Sequence, residues 1–194
     1  MFKGLWIYDS DYNWENYPVI QLDMSEFSSY QPQELKEALA CEIENICREQ
    51  EIEKTCKGYT LMFRNAIVEL CKKHNRKVVV LIDEYDSPII SNLWDIEKAK
   101  EIQRILKDFY VIVKTADRYV RFAILTGVSK FSKTGIFSAL NNLTDISLDS
   151  KYCKLLGISQ QELEHYFEEH IHTLAKKEGT AKEEILERIK YWYN

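Results

Sequence analysis

The run Val78-Val79-Val80-Leu81-Ile82-Asp83-Glu84-Tyr85-Asp86 constrains the fold more than any other stretch of this chain. Its first five residues are branched and aliphatic, so no polar face is left for solvent. A strand covered on both faces accepts such a run, and β-branched side chains suit its extended backbone. Strands of that kind belong to parallel sheets flanked by helices. The expected class is therefore α/β.

Neighbouring segments fit that frame. Pro18 to Met24 (PVIQLDM) reads as an earlier strand that ends at an acid. Pro32 suits a first helical position, and Leu35, Leu39, Ile43 and Ile46 recur at helical spacing. Gly58 is expected to stop that helix and Thr60 to cap the next, whose apolar face is Phe63, Ile67, Leu70 and Cys71. A long helix from about Asp95 to Asp117 carries Ile102, Ile105, Leu106, Phe109 and Val113 on its inner side. Phe122 to Thr126 reads as a second buried strand, ending at Gly127, and Asp145 to Leu148 as a further short extended segment. Beyond it the chain turns helical. Ser159 with Glu162, and Thr180 with Glu183, have capping-box spacing. Leu163, Phe167, Ile171 and Leu174 line the first of these helices, and Ile185, Ile189 and Trp192 the second. The expected organisation is an α/β core over residues 1–150 with right-handed crossovers, then the start of a helical region over 151–194.

Composition removes several functional classes. The 194 residues suffice for one sizeable core, and 6 Gly with 3 Pro favour long helices over disorder. No apolar run approaches the ~20 residues that span a bilayer. The first residues, MFKGLWIYDSDYNW, lack the sections of a signal peptide, so a cytoplasmic location is expected. A net charge of −5 argues against direct nucleic-acid binding. Five cysteines, with no C-x-x-C pair among them, read as reduced packing residues. The basic turn Lys72 to Lys77 precedes a strand, on the side of the sheet away from the expected site, and reads as solvated. Trp6, Trp14, Trp94 and Trp192 form no stacking series and are expected in core and boundary packing.

The chemistry concentrates where the central strand ends. In open α/β sheets ligands bind beyond the carboxyl ends of the strands. Adjacent acids there are costly unless they meet a cation or hydrogen-bond donors. Three acids fall within Asp83 to Asp86, and Pro88 turns the chain just after. In P-loop ATPases a strand-end Asp holds Mg²⁺, usually through water, and the following Glu polarises the attacking water. Asp83 is then the magnesium acid and Glu84 the water-activating base. At the tip of the other strand, Leu125-Thr126-Gly127-Val128-Ser129-Lys130, Thr126 and then Ser129 are candidates to touch the γ-phosphate or the water. Asp86 and Lys130 are placed with Asp83 on the nucleotide side of the site, and Lys133 is a further cation in the same loop.

These segments resemble the AAA-ATPase-like family, whose members are mostly bacterial and often carry a PD-(D/E)XK nuclease-like domain further along. The matching residues are Phe2-Lys3-Gly4-Leu5 with Ile7, Tyr17-Pro18-Val19-Ile20 with Leu22-Asp23, and Leu81 to Pro88 (LIDEYDSP). Leu125 to Leu143 (LTGVSKFSKTGIFSALNNL), leading into Asp145-Ile146, and Leu156-Gly157-Ile158 with Glu162-Leu163 complete the likeness. It covers nearly the whole chain. The resemblance implies a P-loop NTPase-type parallel sheet, with ATP and Mg²⁺ as cofactors. It also implies an upstream strand and glycine-lysine-serine phosphate loop, whereas no G-x-x-x-x-G-K-[ST] occurs in these residues. In that class the phosphate-loop strand lies beside the strand ending at Thr126. The expectation is an incomplete, internal piece of the ATPase domain that is inactive alone. Lys130 stands where the family pattern leads one to expect Arg, which keeps the charge and loses a bidentate fork.

Two other readings use the same residues. An ATPase-derived sheet without its phosphate loop suits a non-catalytic scaffold that self-associates through an exposed strand edge. A metal nuclease would use Asp23, Glu34 and Lys36, but the last two fall just after Pro32 in a helix start, where that chemistry wants a strand. His165, His170 and His172 lie near Glu168 and Glu169, and an exposed helix face accounts for them. Arg118 and Arg121 are the available arginine-finger candidates, although Arg121 begins a strand and points away from the site.

Overall fold

The computed structural model describes residues 2–53, 56–128, 142–147, 149–152, 154–155 and 157–193. Ser129, Lys130 and Lys133 lie outside the described residues, as do Cys153 and Leu148. The chain divides into two compact units, Met1–Leu143 and Thr144–Asn194.

The first unit holds a three-stranded parallel sheet in the order β1 (Val19–Asp23), β2 (Val78–Asp83), β3 (Val120–Leu125). Among the described residues four helices accompany it: α1 (Pro32–Glu49), α2 (Tyr59–His74), α3 (Ser87–Ile90) and α4 (Ile96–Thr115). The α/β expectation holds at this level, with the central apolar run forming the central strand. β2 alternates fully buried Val78, Val80 and Ile82 with half-buried Val79 and Leu81. Ile20 and Leu22 of β1, and Ala123 and Leu125 of β3, share one core cluster with those three residues and with the inner faces of α1, α2 and α4. Leu35, Leu39 and Ile43 of α1, Phe63 and Ile67 of α2, and Leu106 and Phe109 of α4 are all fully buried in it.

The opposite sheet face departs from expectation. Parallel register partners point the same way, so Val19, Val79 and Phe122 form one row and Gln21, Leu81 and Ile124 the next. None of them belongs to the core cluster, and Phe122 is 52% exposed. Among the described residues the sheet is therefore covered on one side only, because α1, α2 and α4 all bring their apolar stripes to the same side. Among the described residues β3 is an edge strand and partly exposed, not the buried strand its sequence suggested.

Helix ends are set by local chemistry. Pro32 opens α1, and the Gln31 N–H donates to the Glu34 carboxylate at 2.8 Å. That helix stops at Glu49, well before Gly58, with Glu51 at φ 49° just beyond. Gly58, at φ 90° and ψ 135°, instead leads into α2, so Thr60 lies inside the helix and caps nothing. Asn75, left-handed at φ 48°, closes α2. Asp95 caps α4 by accepting from the Lys98 N–H at 3.1 Å. The expected end of α4 at Asp117 comes slightly early, at Thr115, where a 3-10 turn over Asp117–Tyr119 takes over.

The second unit contains α5 (Gln160–Tyr166), α6 (Glu168–Glu178) and α7 (Lys182–Tyr193). Ser159 and Glu162 form the expected capping box. Phe167, at φ −110°, breaks the single helix expected there into two. Ile171, Ala175 and Ile185 are buried, whereas Phe167, Leu174 and Trp192 are exposed. The Thr180–Glu183 box does not form. Gly179 at φ 69° ends α6, the Thr180 N–H returns to the Ala175 carbonyl at 3.0 Å, and α7 starts two residues later at Lys182. The extended segment expected from Asp145 is a turn, in which the Ser147 N–H donates to Asp145 at 3.0 Å. All four tryptophans are exposed, Trp6 by 84% and Trp94 by 79%, contrary to their expected packing role. Among the described residues, no helix is long and apolar enough to cross a membrane.

Candidate functional site at the end of the central strand

Three parallel strands end together, and their last residues supply the polar atoms. Asp23 and Asp83 are register partners at the tips of β1 and β2, so both carboxylates leave the same, open side of the sheet. Thr126 follows β3 directly, and its N–H extends the ladder to the Ile82 carbonyl at 2.9 Å. The next rung is the Tyr85 N–H to the Thr126 carbonyl at 2.8 Å. Asp83, Glu84 and Thr126 are thus brought together.

Their side chains form a small closed arrangement. The Thr126 hydroxyl donates to Asp83 Oδ1. The Glu84 N–H lies 3.1 Å from that oxygen and 3.3 Å from Thr126 Oγ1. Among the described residues Asp83 Oδ2 has no hydrogen-bond partner. Glu84 adopts φ 48°, a left-handed conformation that a long side chain visits at some cost, and its carboxylate stays exposed. Asp23 is occupied locally: the Ser25 hydroxyl, at 2.7 Å, and then the Ser25 N–H, at 2.9 Å, hold its carboxyl below the usual range.

Beneath the surface lies a second layer. Asp86 is completely buried, and its Oδ1 accepts from the Val128 N–H at 3.2 Å. Asp86, expected on the nucleotide side of the site, lies buried beside Val128. Tyr110 of α4 is also fully buried and donates to the Tyr85 carbonyl at 2.8 Å. Burial, then the Asp86 carboxylate, then Tyr85, push the Tyr110 phenol well above its ordinary value. Asn92, nearly buried, donates to the carbonyls of Ser28, at 3.0 Å, and Pro88, at 2.8 Å. Sequence reasoning missed Tyr110 and Asn92. Tyr110 lies four residues beyond Leu106 on the inner stripe of α4, a spacing that could have found it.

A hard divalent cation suits the exposed donors, which are oxygen only. Among the described residues no group of three or more His, Cys, Asp or Glu could hold a metal ion. The other sequence candidates are placed elsewhere. Glu34 sits in the first turn of α1, bonded to the Gln31 N–H, and does not join Asp23 on a strand. His165 belongs to α5, while His172 lies 3.8 Å from Glu168 on α6. Arg121, at the start of β3, lies over the Tyr17 ring at 5.8 Å, and Arg76 lies over the same ring at 5.6 Å.

No solved structure matches the chain. An uncharacterized protein in the vnfD 5′ region of Azotobacter chroococcum mcd 1 is 36% identical over 197 residues. That match takes in 100% of this chain and 36% of the relative, so the chain spans about a third of the relative's length. Residues 1–137, which include all three strands and the acids at their ends, match a family described as a predicted AAA-ATPase. The chain belongs to the AAA-ATPase-like family.

Proposed function

We propose that these residues carry the acidic part of an ATP-hydrolysing site, in a P-loop NTPase-type sheet. The single observation that supports this most is the meeting of Asp83, Glu84 and Thr126 at the end of the central parallel strand. Asp83 would hold Mg²⁺ with its open oxygen, mostly through water. Magnesium, when bound, neutralises charge on the phosphate oxygens. Glu84, exposed and next in sequence, accepts a proton from the attacking water and orients it. Thr126 keeps Asp83 in a fixed rotamer through its hydroxyl. Ser129 and Lys130 remain the proposed contacts to the phosphates from the loop after β3. The family membership supports ATP as the nucleotide.

The 194 residues contain no glycine-lysine-serine loop. Backbone N–H groups and a lysine that cradle the β- and γ-phosphates must come from outside them. We therefore propose that this segment alone binds Mg-ATP weakly and turns none over measurably. The test is ATP turnover by the protein as its gene encodes it, beside Glu84→Gln. Loss of a general base predicts a fall of about 10²-fold or more. Equal turnover would remove Glu84 from the mechanism. Turnover by the 194-residue chain clearly above that of its own Glu84→Gln variant would overturn its proposed inactivity.

A second reading is pairing of the sheet with another chain as a non-catalytic scaffold. Among the described residues, the open edge of β3, with Phe122 on the uncovered face, favours it.

A further inference from the structure

Two loops leave the sheet side by side, one after β2 and one after β3, and Asp86 lies between them. Its carboxylate has no access to solvent, and its Oδ1 accepts from a backbone N–H of the neighbouring loop, that of Val128. Gly127, one residue earlier, has no room for a side chain. A Cβ there would come within 2.5 Å of the Tyr85 ring and 2.6 Å of Asp86 Oδ1. The backbone rung from Tyr85 to Thr126 closes the same contact from the other side. Asp86 also begins α3, because its carbonyl accepts from the N–H groups of Ile89 and Ile90, each at 3.0 Å. Tyr110 anchors the loop to α4 through the Tyr85 carbonyl.

We infer that Asp86 is a positioning residue: by holding Val128 it fixes the loop after β3, and so sets the Thr126 hydroxyl against Asp83 and the Glu84 N–H. The physical reason is the short lever. Thr126 is two residues from the amide that Asp86 grips, and Glu84 is two residues from Asp86 itself. At 3.2 Å the bond from the Val128 N–H is an ordinary, directional one, which an amide oxygen can also accept. Losing it frees both loops at once. Any displacement of Thr126 by a ligand would in turn strain the Asp86–Val128 bond. This inference rests on the proposed site only where it concerns the metal, and the loop geometry stands without it.

The test separates the two. Asp86→Asn removes the charge and keeps an oxygen that can accept from Val128. Asp86→Ala removes both. Amide hydrogen exchange at Val128 is read in the 194-residue chain, with the amides of β2 as the reference for global stability. Relative to that reference, Asp86→Ala is expected to exchange at Val128 at least about tenfold faster, a full hydrogen bond's worth of protection. Asp86→Asn is expected to stay near wild type. Equal Val128 exchange in the two variants overturns the inference. Where Asp86→Ala does not fold, Gly127→Ala attacks the same contact, and unchanged Val128 exchange in that variant is the overturning result. Mn²⁺ binding, followed by the electron paramagnetic resonance of the free ion, is the second readout. Both Asp86 variants lose one charge, so only positioning weakens Asp86→Ala beyond Asp86→Asn, by an expected threefold or more. Wild type that binds no Mn²⁺ sinks the metal reading of Asp83, while the Val128 comparison still decides the role of Asp86.

Discussion

Tyr110 places a hydroxyl in the core and spends it on one backbone carbonyl, that of Tyr85. Tyr110→Phe leaves this carbonyl without the donor and should cost about 1–3 kcal/mol in a urea melt. The pH dependence gives a second handle. Because the folded phenol is held well above its ordinary value of 10.0, the folded state favours the neutral form. The contribution of Tyr110 is complete below about pH 10, the value in the unfolded chain, and is lost as pH rises toward the higher folded value. The stability gap between wild type and Tyr110→Phe should therefore shrink above pH 10. A gap that stays constant to pH 11 would mean the phenol is not perturbed by burial. Asp83 and Glu84 were legible as a strand-end pair because a buried apolar strand has to release its chain into solvent somewhere, and acids mark that point. The burial of Asp86 was not legible. Sequence gives three acids in a row of four, and only the partner loop from β3 decides which of them turns inward.

Elements were read best where hydrophobic spacing was long and regular. The inner residues expected of α4 are all buried, and β2 runs one residue past its apolar stretch to Asp83. Ends were read less well, because capping is decided by backbone angles that composition only hints at. Gly58 was expected to stop α1, yet the chain leaves α1 earlier and uses Gly58 to enter α2 at φ 90°. Thr60 could not cap once the helix had begun at Tyr59. Thr180 lost its capping role for a similar reason, since its N–H already closes α6. Gly58→Ala tests the new assignment. Among the described residues nothing lies within 4 Å of an added Cβ, so they add no packing penalty. The cost should be backbone strain alone, about 1–3 kcal/mol by chemical denaturation, with the m-value unchanged. A neutral substitution would mean the turn relaxes to another conformation.

The whole sheet shows what periodicity in one strand could not. Five apolar residues in succession in β2 suggested cover on both sides, and the structure provides it on one among the described residues. The run still makes sense, because Val79 and Leu81 stay half-buried between neighbouring strands even on the open face. That face ends at β3, whose outer edge pairs with no strand among the described residues and whose Phe122 lies on the open face. Under the scaffold reading, two copies would pair along this edge. Phe122 is 52% exposed, so burying the remainder in both copies is worth about 1.5–3 kcal/mol. Association costs about 4 kcal/mol or more, and each main-chain hydrogen bond across the edge returns about 1 kcal/mol. The balance is at best a weak dimer, with a dissociation constant on the order of 1 mM or weaker. Sedimentation velocity over a range of loading concentrations should show the average size of the 194-residue chain rising with concentration. Phe122→Lys should abolish that rise without changing stability by more than about 0.5 kcal/mol, since the residue is largely exposed and lysine blunts edge pairing. A chain that stays monomeric throughout, or a dimer indifferent to Phe122→Lys, would count against the edge.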